Sequence, residues 1–221
     1  WTAELELEVP QEGMTINYSY QIEQNGIVIR KEWDSFSRSI FLSGSSRKIY
    51  RINDCWKNIP EQLYLYSSAF TEALLAHPER EEIPQSYKKG LVIKAYAPRI
   101  NKDYCLAICG NQKALGNWNP EKAVLMSDAN FPEWQIELDA SKLKFPLEYK
   151  FILYNKQEKK ADCWEKNPNR YLADPELKTN ETLVISDRYV YFDIPAWKGA
   201  GMAIPVFSLK SEKSFGVGDF G

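Results

Sequence analysis

Short runs of alternating apolar and polar residues, each closed by turn formers, constrain this 221-residue chain more than any other feature. From Thr2 to Val9 the alternation places Ala3, Leu5, Leu7 and Val9 on one face. Segments Ile16 to Ile22 and Ile27 to Ile29 flank Glu23-Gln24-Asn25-Gly26, where Asn-Gly marks a tight hairpin. The same pattern returns in Leu91 to Ala97, Tyr104 to Cys109, Trp134 to Leu138, Leu147 to Tyr154 and Tyr189 to Ile194. Successive strand residues point to opposite faces, so each run offers one face to a core and one to water. Many such strands predict an all-β chain built of antiparallel sandwiches. Ser67 to His77 is the exception: Phe70, Ala73, Leu74 and His77 recur at helical spacing, Ser67 or Ser68 can cap, and Pro78 stops the run. The charged, proline-bearing stretch from Glu79 to Ser86 has linker character.

Composition narrows the function. A net charge of −2 gives no electrostatic footprint for nucleic acid. No apolar run approaches the ~20 residues of a membrane span. Neither partner is expected. Cys55, Cys105, Cys109 and Cys163 form no CxxC pair, and His77 is the lone histidine, so no metal site or other cofactor is expected. Cys105 and Cys109 lie four apart in a strand, which predicts buried thiols on one face and suits a reducing compartment. His77 ends a helix with no partner group in view, which argues against general-base chemistry. The chain begins at Trp1 rather than Met, and a natural N-terminus further upstream is expected.

An internal repeat organises the chain. Trp1-Thr2-Ala3-Glu4-Leu5 parallels Trp134-Gln135-Ile136-Glu137-Leu138, and Tyr18-Ser19-Tyr20-Gln21-Ile22 parallels Tyr149-Lys150-Phe151-Ile152-Leu153. At the same interval come Trp33 and Trp164, then Arg38 and Arg170. The first copy starts in mid-module on this reading.

The aromatic content of 14% includes 7 Trp, and three residues stand out by context. Trp118 lies in Leu115-Gly116-Asn117-Trp118-Asn119-Pro120, Lys150 in Glu148-Tyr149-Lys150-Phe151, and Trp164 in Trp164-Glu165-Lys166-Asn167-Pro168-Asn169-Arg170. Indole faces at turns and strand ends match the apolar C–H face of a glucose ring, while Lys and Asn bond its rim hydroxyls. The set suits a neutral, hydroxyl-rich polymer. Together with Gly110, Ala123-Val124-Leu125 and Pro132-Glu133-Trp134, these strings resemble the family 20 carbohydrate-binding modules, starch-binding domains with an immunoglobulin-like sandwich. The resemblance implies a glucan site of Trp118, Lys150, Trp164 and Asn169. A second family site would use Phe131 and Trp134, with Ala107 where an aromatic is usual. In the first copy the resemblance leaves Trp33, with Ser19 at the lysine position. Trp134 has a second reading from its strand context, as a core residue.

The tail, Trp197 to Leu209 followed by Ser214-Phe215-Gly216-Val217-Gly218-Asp219-Phe220-Gly221, resembles the opening of the barrel in the 4-alpha-glucanotransferases of glycoside hydrolase family 77. Two starch-binding modules before that barrel is the order in the type 2 disproportionating enzymes, a cytosolic group. The resemblance implies residues 1–86 as an N-truncated module with a helical linker, 87–196 as a complete module, and 197–221 as the first strand and loop of a (β/α)8 barrel. Its partners would be α-1,4-glucans: starch, glycogen and maltooligosaccharides. The implied chemistry is a retaining double displacement by two carboxyl groups, resolved by an acceptor hydroxyl. Those groups lie beyond Gly221 in the family, so no catalytic residue is expected within this chain. Gly216 to Gly221 also spells GxGxxG, but Lys210 to Ser214 separates it from the preceding strand, unlike a dinucleotide turn. The alternative function is a non-enzymatic starch- or glycogen-binding or scaffold protein. A hydrolase or glucan kinase bearing such modules is a third, disfavoured by the Ser208 to Gly221 string.

Overall fold

The computed structural model describes residues 2–32, 38–44, 48–56, 86–97, 100, 103–186, 190 and 192. The helix expected from Ser67 to His77 and the barrel-like tail lie outside these residues, as does Trp33.

Fourteen strands are described: β1 (Met14–Tyr18), β2 (Gln21–Gln24), β3 (Ile27–Lys31), β4 (Arg38–Leu42), β5 (Ile49–Asp54), β6 (Lys89–Tyr96), β7 (Tyr104–Gly110), β8 (Val124–Leu125), β9 (Ser127–Asn130), β10 (Glu133–Asp139), β11 (Leu147–Asn155), β12 (Lys160–Trp164), β13 (Arg170–Leu172) and β14 (Glu181–Ser186). The architecture is all-β. One sheet has the order β5-β14-β6-β10-β9; facing it, β12-β11-β7-β8 carries β13 on the same edge of β11 as β12. Leu91, Ile93, Leu106, Ile108, Trp134, Phe151 and Leu153 fill the space between them. Period-two alternation explains this directly: Trp134, Ile136 and Leu138 share the inward face of β10, and Tyr149, Phe151 and Leu153 that of β11.

The first copy contributes two short ribbons, β1 with β4 and β2 with β3, and one strand to the shared sheet. β5 runs parallel to β14, Ile52 opposite Val184. A second core of Ile40, Leu42, Val92 and Val184 therefore lies on the far side of that sheet. This is why Leu91, Val92 and Ile93 are all fully buried: β6 has protein on both faces. Lys94 Nζ crosses the layer to donate to Ser39 O at 2.7 Å, and it pairs with Glu133 at 3.2 Å.

One sequence expectation fails here. Residues 2–10 form no strand, and Leu5 is 82% exposed, because no strand among the described residues pairs with this segment. Alternation supplies a face, but a strand also needs a neighbour's backbone. The Asn25-Gly26 hairpin forms with both residues at positive φ, 53° and 76°, as a tight turn matched to strand twist requires.

The repeat is visible in three dimensions. Tyr18 pairs with Arg38 across β1 and β4 in the same way that Tyr149 pairs with Arg170 across β11 and β13. Tyr18 meets Tyr20 edge-on at 5.9 Å, and Tyr149 meets Phe151 edge-on at 5.9 Å. Glu32 N donates to Tyr20 O as Glu165 N donates to Phe151 O. Arg38 lies 5.3 Å over the Tyr20 ring, Arg170 4.8 Å over the Phe151 ring. The correspondence of Trp33 with Trp164 is corrected by this match: Glu32 answers Glu165, so Lys31 stands where the second copy has Trp164. The β11–β12 hairpin is longer than the β2–β3 hairpin, which shifts the count between the copies.

Candidate functional site

The outward face of the β12-β11-β7-β8 sheet carries a small apolar patch of Ala107, Cys109 and Ile152, all fully buried. Trp164 helps cover it, with Ala123, Tyr154 and Ala161. It ends β12 opposite Ile152 and packs on the patch with its inner face while staying half-buried itself.

Trp118 reaches the same place from a strained turn. Gly116, Asn117 and Trp118 have successive φ values of 82°, 52° and 59°. A left-handed tryptophan is a conformation of about 1–3 kcal/mol strain, held only where its surroundings dictate it. Several contacts do so. Leu115 is fully buried, and the amides of Leu115 and Asn117 both donate to Gln112 O. Gln112 is itself tied to Lys144 through both ends of its side-chain amide. Asn119 N donates to Gly116 O, and the Asn119 side chain accepts from Glu121 N, with Pro120 starting the next 3-10 turn. A Cβ on Gly116 would lie 2.7 Å from Lys122 O. Gly116→Ala is therefore expected to destabilise the chain by about 1–3 kcal/mol, read as a lower urea midpoint.

The two indoles meet with ring centroids 6.2 Å apart and planes inclined at 47°. Beneath them burial pushes the Cys109 thiol up, and hydrogen bonds to the backbone of Gly110 and Trp118 counter only part of that rise. Cys109 faces Lys150 across the β7–β11 ladder. Lys150 shares the outward face with Ile152, two residues on, so it stands beside the indole pair. Cys105 is also buried, as its strand position predicts, and burial raises its thiol to about 11.

Asn169 is exposed on the loop between β12 and β13. That loop is pinned by Glu165, whose side chain is wholly buried. Its Oε1 accepts from Phe151 N at 2.8 Å and Arg170 Nε at 3.1 Å; its Oε2 accepts from Arg170 Nη2 at 2.9 Å and Asn167 Nδ2 at 3.1 Å. Asn169 is thus held between two fixed points, Glu165 and Arg170. The first copy repeats the pin with Glu32 and Arg38 and adds Asp54, which accepts from both Tyr18 and Tyr20 hydroxyls. Burial and the Asp54 charge raise both phenols, Tyr20 to about 12.

Of the four residues expected together, Trp118 and Trp164 are in contact, Lys150 lies on the same outward face by register, and Asn169 is exposed on the loop that follows Trp164. The aromatic pair expected elsewhere is a correction. Trp134 is 1% exposed, and its indole N–H donates to Ala97 O at 3.2 Å, so it belongs to the core. Its place in phase with Ile136 and Leu138 fixes that orientation. Phe131 is half-buried, turned edge-on to Trp134 at 5.9 Å and packed against the core. Sequence reasoning missed the Glu165 pin and the left-handed turn; a Glu and an Arg at near-equal spacing in both copies was the available signal for the pin. Among the described residues there is no group of His, Cys, Asp and Glu that could hold a metal ion, and no helix long and apolar enough to cross a membrane.

Parts of the chain are similar to known proteins. Residues 92–184 match the CBM_20 family, described as a starch binding domain. Aligned over 225 positions, the chain is 27% identical to 4-alpha-glucanotransferase DPE2 of Oryza sativa subsp. japonica, with 94% of this chain and 23% of that protein covered. It therefore spans under a quarter of that relative's length. Among solved structures, a family 15 glucoamylase from Hypocrea jecorina is similar at 24% identity and a TM-score of 0.38, covering 47% of this chain and 17% of its own. The family 20 module of a maltotetraose-forming amylase from Pseudomonas saccharophila STB07 is similar at 18% identity and a TM-score of 0.36, covering 44% and 99%. The chain is thus similar over residues 92–184 to starch-binding domains, and along nearly its whole length to part of a 4-alpha-glucanotransferase, as its motifs led us to expect.

Proposed function

We propose that this chain is the glucan-attachment part of a cytoplasmic 4-alpha-glucanotransferase and that it binds α-1,4-glucans at Trp118 and Trp164. The inclined indole pair is the observation that carries this reading. We read the two planes tilted at 47° as the walls of a shallow trough, since a bent maltose segment offers successive sugar faces at an angle to one another. Lys150 and Asn169 supply donors at the trough's rim for ring hydroxyls. The strain stored at Trp118 supports the reading, since a core needs no left-handed tryptophan.

In this role the chain performs no bond cleavage. It holds donor or acceptor glucan near the catalytic groups of its parent, raising the local concentration of chain ends. The parent's chemistry would be transfer of a glucan segment to another saccharide's hydroxyl with retention at the anomeric carbon. The first copy, with Lys31 in place of the second indole, contributes support more than affinity.

Titration calorimetry of the chain with maltoheptaose or β-cyclodextrin tests the attachment step. A saturable heat with a dissociation constant weaker than about 1 µM is expected for one small aromatic site. Absence of saturable heat with either sugar overturns the proposal.

A further inference from the structure

We propose that Tyr171 is an additional stacking platform that extends the glucan site along β11, so that the chain discriminates long linear glucans from short ones. The inference rests on the trough at Trp118 and Trp164 being a glucan site. Tyr171 is 65% exposed, unusually so for a large aromatic within a strand. Its direction follows from its neighbours. Arg170 turns inward over the Phe151 ring, and Leu172 packs against the main core. Tyr171, between them, therefore faces outward. It pairs with Glu148 of β11, whose outward face continues through Lys150 to Ile152, the partner of Trp164.

Trp164, Lys150 and Tyr171 consequently lie along one line on one sheet face. The step from Ile152 to Glu148 is four residues of strand, about 13 Å at the ordinary strand rise. That distance is longer than one sugar ring and shorter than a maltoheptaose chain. The gap between the aromatic ends is bordered by Lys150 and by Asn169, groups suited to hydroxyls. Glu148 beside Tyr171 gives the far end an acceptor as well. A phenol ring with one apolar face and a polar tip fits a sugar at the wet margin of a site.

The test is calorimetry on the full chain with maltotriose and maltoheptaose, comparing Tyr171→Ala and Tyr171→Phe with the parent sequence. The Ala variant is expected to lose about fivefold in affinity for maltoheptaose and less than twofold for maltotriose, a loss typical of one stacked ring. The Phe variant should keep the length preference, which separates stacking from loss of the hydroxyl. Equal losses for both sugars, or none for maltoheptaose, overturn the role of Tyr171 while leaving the trough intact. Failure of the parent sequence to bind either sugar overturns both readings together.

Discussion

Replacing Trp118 by asparagine is expected to weaken maltoheptaose binding by about 30-fold while leaving the melting temperature of the chain unchanged or higher. The two effects separate because Trp118 serves the ligand more than the fold. Removing an aromatic anchor at the centre of a small site costs about 2 kcal/mol or more of binding, which is about 30-fold in affinity. The backbone works in the other direction. Trp118 sits at φ 59°, where bulky side chains are strained and asparagine is tolerated. Asparagine relieves part of that strain and leaves the Gln112 and Asn119 hydrogen bonds of the turn intact. Trp164→Ala should show the contrast. It loses binding to a similar degree but also uncovers Ala107, Cys109 and Ile152, so its melting temperature falls. Calorimetry and thermal denaturation of both variants check the pair. Full binding by Trp118→Asn would remove this indole from the site.

Much of the sheet architecture was legible because alternation in β10 and β11 coincides with a core-facing side, while β6 and β7 are buried on both faces. Residues 2–9 carry an equally regular pattern and form no strand, since periodicity records a preferred face and not the presence of a partner. Val92 shows the complementary gap. Its burial depends on Ile40 and Leu42 arriving from far earlier in the chain, which no local pattern reports. At the site, Trp118 and Trp164 were legible from turn chemistry and family resemblance. Trp134 was ambiguous from its neighbours, and its indole bond to Ala97 resolves it as core. The pairing of Trp33 with Trp164 misled because counting residues ignores hairpin length. Aligning hydrogen-bonded pairs, Glu32 with Tyr20 and Glu165 with Phe151, restores the register.

That shared register also makes Glu165→Ala and Glu32→Ala a matched experiment. Each carboxylate is buried, accepts a backbone amide across the strand, and pairs with an arginine lying over an aromatic ring. Deleting Glu165 breaks a buried ion pair with Arg170, which costs about 3–5 kcal/mol, whereas Arg38 keeps Asp54 at 3.0 Å when Glu32 is lost. Both variants are therefore expected to unfold at lower urea concentration, Glu165→Ala by the larger margin. Their effects on glucan binding should diverge. Glu165 fixes the loop that carries Asn169 and follows Trp164, so at temperatures where the variant is still folded its affinity should fall several-fold. Glu32 sits in the copy that has Lys31 instead of an indole, so its loss should leave affinity unchanged wherever the chain remains folded. Removing the stranded charge as well, in Glu165→Ala with Arg170→Met, should recover part of the stability but not the affinity, because an apolar pair restores packing without restoring the loop. Equal loss of affinity in the Glu32 and Glu165 variants would mean that the pins act through global stability alone, and that the loop from Glu165 to Arg170 does not orient the site.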